Sequence, residues 1–214
     1  PTLAMPGYDV QVLSEDGKEV GPGILGAISI KLPLPPGSLP TLWNADDRYI
    51  ESYLSTFPGY YETGDAGYQD QDGYLYIMSR TDDVINVAGH RLSTGAMEEA
   101  VSNHIDVAEC AVIGVLDNLK GQVPLGLVCL NNGCNKPDEV ICKEIIDLVR
   151  TEIGPVAAFK SVAVVSALPK TRSGKILRAT IRKIADNVDW EMPATVDNPL
   201  VFDEIKKAIK PLGY

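Results

Sequence analysis

Lys170, Arg172 and Lys175 stand close together, interleaved with Thr171, Ser173 and Gly174, and Arg178 follows one turn later. This concentration runs against the chain as a whole, whose formal net charge is −10 at pH 7. Pro169 closes the apolar run before it. Beyond it, Ile176 to Ile184 has the spacing of an amphipathic helix with Leu177, Ile181 and Ile184 on one face. A mobile cationic loop held ahead of a helix suits a negatively charged group that is gripped at one moment and released at another. A lysine ammonium is a compact point charge on a long stem, matched to phosphate oxygens. The stretch is not a Walker-type phosphate loop, which needs Gly where this chain has Pro169 and Ser or Thr where it has Ile176.

A second candidate is Thr63-Gly64-Asp65. It follows the aromatic strand Tyr60-Tyr61-Glu62, which would place Asp65 at a strand end. A carboxylate there can accept two hydrogen bonds from a vicinal diol such as ribose. A third is Ser79 to Arg91, which sets Arg80, Asp82, Asp83 and Arg91 around a short apolar strand ending in Gly89. It lies where an all-β segment gives way to a mixed one, a place suited to a hinge. By contrast, Gly21-Pro22-Gly23-Ile24-Leu25-Gly26 fits the dinucleotide fingerprint only formally. It opens a strand rather than a helix and contains proline, so it reads as a turn.

The elements that must position these residues follow from pattern. Residues 8–13 and 27–32 alternate as strands around the turn Ser14-Glu15-Asp16-Gly17. Pro33 to Pro40 holds four prolines and is a stiff connector. Asn44 reads as the N-cap of a helix to about Thr56, with Ile50, Tyr53, Leu54 and Phe57 as its apolar stripe. Asp70 to Gly73 is a hairpin turn, returning along Tyr74 to Met78. Then helices and strands interleave: a helix over 94–104, strands over 107–115 and 125–130, a helix over 138–153, a strand over 161–166, and a short helix over 202–209. The fold class is α+β, with a β-rich part over residues 1–81 and a compact α+β domain over 82–214.

Composition narrows the function. The chain has 214 residues, 45% of them hydrophobic and 22% charged, ordinary proportions for a globular protein. An acidic balance argues against nucleic acid or a membrane surface as partner, and no apolar run has the length of a membrane span. The four cysteines, Cys110, Cys129, Cys134 and Cys142, form no Cys-x-x-Cys pair, and His90 and His104 lack metal-ligand spacing. Neither a disulfide framework nor a metal site is expected, which favours a reducing compartment. His104, spaced behind Met97, Ala100 and Val101, reads as a helix-face residue.

Three signatures stand in order: Tyr61-Glu62-Thr63-Gly64-Asp65, Arg80 through Leu92 with its Gly89-His90-Arg91 triplet, and Leu168-Pro169-Lys170-Thr171-Arg172-Ser173-Gly174-Lys175-Ile176. Together they resemble the acyl-adenylate-forming enzymes, which include acyl-CoA synthetases, luciferases and adenylation domains of peptide synthetases. Arg150-Thr151-Glu152-Ile153-Gly154-Pro155 narrows the resemblance to short-chain acyl-CoA synthetases. Leu34-Pro35-Pro36-Gly37 followed by Pro40-Thr41-Leu42-Trp43 looks most like the propionyl-CoA synthetase branch, with acetyl-CoA synthetase as near neighbour.

The resemblance implies a two-step ligase reaction. A short-chain carboxylate and Mg-ATP give an acyl adenylate and diphosphate, and coenzyme A then displaces AMP. It implies that a small C-terminal domain rotates between the steps. Asp65 would hold the ribose of ATP, with Arg80 beside it. Asp82 would be the hinge. Arg91 would meet phosphate. Ala88 and Gly89 would line the passage for the pantetheine thiol, and Arg150 would face the nucleotide end of coenzyme A. Lys175 would be the catalytic residue, bridging the carboxylate and the α-phosphate, and a candidate for a lysine acetylase and deacetylase. Ala88 departs from the serine many relatives carry, so only a main-chain contact to coenzyme A is expected there. The family's phosphate loop, its adenine and magnesium motif and its acyl pocket are expected in a large domain of the same polypeptide ahead of Pro1. By itself this stretch is expected to be inactive. The cytoplasm or the mitochondrial matrix would suit it. Competing readings are a non-catalytic nucleotide- or CoA-binding module and an adenylation domain that loads a carrier protein.

Overall fold

Short alternating runs in the first third of the chain build an antiparallel meander. In the computed structural model, which describes residues 1–214, the strands are Val10–Leu13 (β1), Gly26–Lys31 (β2), Tyr60–Gln69 (β3) and Leu75–Arg80 (β4). They pair in sequence order, each antiparallel to the next. Leu13, Ala27 and Phe57 bury together beneath them, with Tyr60 packed alongside. These elements and Asp46–Tyr53 (α1) make up one of two units, Pro1–Asp82; the other is Asp83–Tyr214.

Helix α1 corrects the expected cap and stripe. It starts at Asp46 with Ala45 as N-cap and no side-chain cap bond, while Asn44 takes φ 50°. Its buried residue is Tyr49, and Ile50 is exposed. The reason is the hydroxyl: Tyr49 can bury its ring and still satisfy its O–H, which donates to the Leu39 carbonyl at 2.9 Å in the proline-rich connector.

The second unit contains Ile85–Val87 (β5), His90–Leu92 (β6), Thr94–Ser102 (α2), Val107–Asp117 (β7), Gly121–Leu130 (β8), Asp138–Glu152 (α3), Ser161–Val164 (β9), Arg178–Ala185 (α4) and Val201–Ile209 (α5). Strands run β6-β5-β8-β7 in antiparallel order, and β9 lies parallel to β8. A parallel neighbour demands a crossover, which α3 supplies between β8 and β9. The fold is α+β, as the pattern led one to expect.

Because successive strand residues face opposite ways, β7 and β8 feed two cores. Ala111, Ile113, Val115, Leu125, Leu127 and Cys129 pack against Ile181 and Ile184 of α4 and Phe202 and Ile205 of α5. Val112 and Val128 pack on the other side, with Met97 and Val101 of α2 and Ile141, Ile145 and Val149 of α3. Helices α2 and α3 therefore cover one face of the sheet, and α4 and α5 the other. No helix is long and apolar enough to cross a membrane.

Candidate functional site

In the first unit the Thr63-Gly64-Asp65 triplet lies inside β3, not at a strand end. The strand continues because the triplet forms a bulge. The register with β2 passes from Ile28 opposite Asp65 to Ser29 opposite Glu62. Thr63 Oγ1 closes the bulge by donating to the Ile28 carbonyl at 2.6 Å, and it accepts the Asp65 N–H at 3.2 Å. Bulges of this kind re-aim a side chain. Asp65 faces Arg80 across the strand pair. Arg80 Nη1 lies 3.3 Å from both Asp65 Oδ1 and the Thr63 carbonyl, and Arg80 Nε stands 3.5 Å from Asp82 Oδ1. Thr81 Oγ1 donates to the Gly64 carbonyl at 3.3 Å. The structure thus brings Asp65, Arg80 and Asp82 together. An ion pair this exposed, 34% for Asp65 and 55% for Arg80, stabilises by at most about 1 kcal/mol. What it does is orient a carboxylate and a guanidinium toward one spot.

In the second unit, Ala88 and Gly89 are the two loop residues of the β5–β6 hairpin, with Val87 opposite His90. Both have positive φ, 50° and 89°, the conformation of a type I′ turn, which matches strand twist. Asn86 Oδ1 accepts the Gly89 N–H at 3.0 Å, and the Ala88 N–H donates to the Lys120 carbonyl at 2.8 Å. The turn is solvent-exposed, with no side chain beyond a methyl. Arg91 sits half-buried at the centre of β6, in register with Asn86.

Arg150 lies in the last turn of α3, with Asp138 and Glu139 in the first. That distribution already favours the helix dipole, so its charge has a local structural reason. A pocket of about 340 Å³ opens beside it, lined by Lys120, Ile146, Arg150, Gly154, Pro155, Ala158, Phe159 and Lys160. Three cations on one pocket of an acidic chain suit a phosphate. Lys120 also joins this pocket to the Ala88 turn. Neither Lys120 nor Lys160 was legible as a site residue, since their nearness to Arg150 arises only from the folding of the β7–β8 hairpin and the segment after α3.

The Lys175 loop is tighter than the expected mobile loop. The Thr171 N–H donates to the Lys175 carbonyl and the Gly174 N–H to the Thr171 carbonyl, both at 2.8 Å. Thr171 Oγ1 accepts the Lys175 N–H at 3.1 Å. From outside, the Arg172 N–H donates to the Thr195 carbonyl and the Asp197 N–H to the Lys170 carbonyl. The Lys175 side chain stays exposed. Arg178, in contrast, is drawn inward as the first residue of α4, donating to both carboxylate oxygens of Glu98. Lys170 pairs with Glu109 at 2.6 Å. Of the four cations, Lys175 and Arg172 are the exposed ones. Helix α3, which carries Arg150, and helix α4, which follows Lys175, lie on opposite faces of the sheet.

His104, Asp106 and Glu144 cluster closely enough to hold a metal ion. Lys136 already fills the place of a cation there, with Nζ 2.9 Å from both Asp106 Oδ2 and Glu144 Oε2. His104 Nε2 lies 3.0 Å from Glu144 Oε2, so His104 is a tether between the end of α2 and α3. The cluster does not suit magnesium.

Residues 96–175 match the family described as AMP-binding enzyme C-terminal domain. The chain is 58% identical over 207 residues to an uncharacterized protein of Pseudomonas aeruginosa, covering 97% of this chain and 33% of that one. It is 48% identical over 206 residues to the mitochondrial acyl-CoA synthetase short-chain family member 3 of Mus musculus, covering 96% of this chain and 30% of that one. Among solved structures, the acetoacetyl-CoA synthetase from Streptomyces lividans superimposes with a TM-score of 0.83 at 23% identity, covering 99% of this chain and 32% of that one. At that identity the likeness concerns the fold. The chain spans about a third of the length of the curated relatives it matches.

Proposed function

We propose that this chain is part of an ATP-dependent ligase joining a short-chain carboxylate, propionate or acetate, to coenzyme A; the reading is supported by the match of residues 96–175 to the AMP-binding enzyme C-terminal domain and by 48% identity to a short-chain acyl-CoA synthetase family member. In the first step a carboxylate oxygen bonds to the α-phosphorus of ATP as the bond to diphosphate breaks. In the second, the coenzyme A thiol bonds to the acyl carbon, and AMP leaves with the bonding pair of the C–O bond. Such catalysis rests on positioning and charge stabilisation.

Asp65 would accept both ribose hydroxyls, with Arg80 beside it. Lys175 would offset charge on the α-phosphate and the carboxylate in the first step. The Ala88-Gly89 turn, with no side chain larger than a methyl, would let the thiol pass, and Arg150 with Lys120 and Lys160 would take the nucleotide phosphates of coenzyme A. Arg91 would meet phosphate after rotation. The chain passes between its units at Asp82–Asp83, and Asp82 is our hinge. Magnesium would arrive with ATP, held by groups outside this chain. We place the protein in a reducing compartment, cytoplasm or mitochondrial matrix, in keeping with its four free thiols.

The observation that supports this reading best is the two-faced sheet. Lys175, assigned to the first step, precedes a helix on one face, and Arg150, assigned to the second, belongs to a helix on the other, as a domain that turns between steps requires. The test is Lys175→Ala in the full-length polypeptide. Adenylate formation should be abolished while thioester formation from supplied acyl adenylate persists. Equal loss of both half-reactions would refute the role.

A further inference from the structure

The loop that carries Lys175 is tied at both ends to one strand. Before it, Lys170 Nζ donates to Glu109 Oε1 on β7 at 2.6 Å. After it, Arg178 Nε and Nη2 donate to the two oxygens of Glu98 at 3.0 and 2.9 Å. Glu98, on α2, also accepts the Val112 N–H of β7 at 2.9 Å through Oε1. The two ties are unequal. Lys170 and Glu109 are 33% and 47% exposed, and such a pair holds a long side chain loosely. Arg178 and Glu98 are 26% and 19% exposed, and their two parallel bonds fix direction as well as distance.

We propose that Glu98 is a positioning residue for Lys175: it clamps Arg178 to strand β7 and so sets where the neighbouring ammonium stands. The proposal rests on the reading of Lys175 given above. Lys175 and Arg178 are separated by Ile176 and Leu177 alone, and the Leu177 N–H is itself bonded to the Pro169 carbonyl at 2.9 Å. The loop between the ties is closed by its own Thr171 bonds, so it moves as a body. A shift of the Arg178 anchor is then passed to Lys175 rather than absorbed. Glu98 touches no reacting atom; it acts through Arg178.

The test compares Glu98→Gln, Arg178→Lys and Lys175→Ala in the full-length polypeptide, measuring ATP–diphosphate exchange, thioester formation from supplied acyl adenylate, and Tm. Glutamine keeps the shape and an acceptor for Val112 but loses the charge. We expect Glu98→Gln to lower kcat of the first step about 10- to 100-fold, the cost of a misplaced group. KM for ATP and the second step should hold within about twofold. Arg178→Lys, which keeps the charge without the fork, should give an intermediate loss. If Glu98→Gln does not fold, Arg178→Lys decides by the same split. Two results overturn the inference alone: a normal first step in both variants while Lys175→Ala is dead, or an equal fall of both steps tracking Tm. An active Lys175→Ala overturns the reading of Lys175 and this inference with it.

Discussion

Gly64 and Arg80 are in direct apposition: a Cβ placed on Gly64 would stand 2.7 Å from Cζ and 2.8 Å from Nη1 of Arg80. Gly64 also has φ +76°. Gly64→Ala should therefore act twice. Backbone strain should cost about 1–2 kcal/mol, read as a lower Tm. The displaced guanidinium should leave Asp65 and Thr63, raising KM for ATP more than it lowers stability. An unchanged KM would separate Arg80 from the nucleotide.

Ala88 tests the hairpin by the same backbone logic. Its φ of 50° suits Asn or Gly, is tolerated by Ala, and opposes a β-branched residue. Ala88→Val should destabilise by about 1–3 kcal/mol in urea unfolding, whereas Ala88→Asn should hold or raise stability.

The ammonium of Lys136 predicts a pH dependence. Its hydrogen bond holds Asp106 below its ordinary 3.8, and the same ammonium, with His104 second, holds Glu144 below its ordinary 4.5. Both groups bind protons more readily unfolded than folded. Their contribution is complete above those ordinary values and is lost as pH falls through the depressed ones. Lys136→Met should lower Tm at pH 7. The gap from the parent should begin to close as pH falls below about 4.5 and should vanish only once pH is below the depressed values, where both proteins carry neutral carboxyls.

Burial, with Glu98 second, pushes the Cys110 thiol up to about 11; burial, with Glu109 second, does the same for Cys129. At pH 8 their thiolate fraction is on the order of one in a thousand. Iodoacetamide should leave both unmodified in the folded protein and reach all four cysteines in urea, read by peptide mass spectrometry.

For the pocket beside α3, Arg150→Ala and Lys160→Ala should each raise KM for coenzyme A about tenfold, the loss of one charge-assisted bond. KM for ATP should stay put. The effect should shrink with a coenzyme A analogue that lacks its 3′-phosphate. Equal sensitivity to both forms would remove that phosphate from the pocket.

Periodicity revealed the long elements because each has a face to bury. Strands β7 and β8 are legible as continuous apolar runs because both of their faces are buried, and the stripe of α3 at Ile141, Ile145 and Val149 is likewise legible. Where burial is slight, the reading failed. The α1 stripe omitted Tyr49, since its hydroxyl hid an inward residue. The triplet at Thr63 reads as a strand end because a bulge keeps a strand going without a sequence period. Strand β6 has too few residues to show one. Two candidate site residues stand out by type, a carboxylate after Gly64 and a lysine after Gly174, whereas Ala88 and Gly89 enter only through the family resemblance. The residues that hold them, Glu98 above all, are joined across 80 positions of chain, and such pairing leaves no local mark.

The bonds from Thr195 and Asp197 to the Lys175 loop make a late stretch of chain part of its framework. Between them and α4 runs an exposed segment, from Asn187 to Met192, that packs mainly through Trp190. A protease nick or an inserted tag there would leave both sheet faces covered while loosening one hairpin. Limited digestion could then dim the first half-reaction in a protein whose circular dichroism looks untouched.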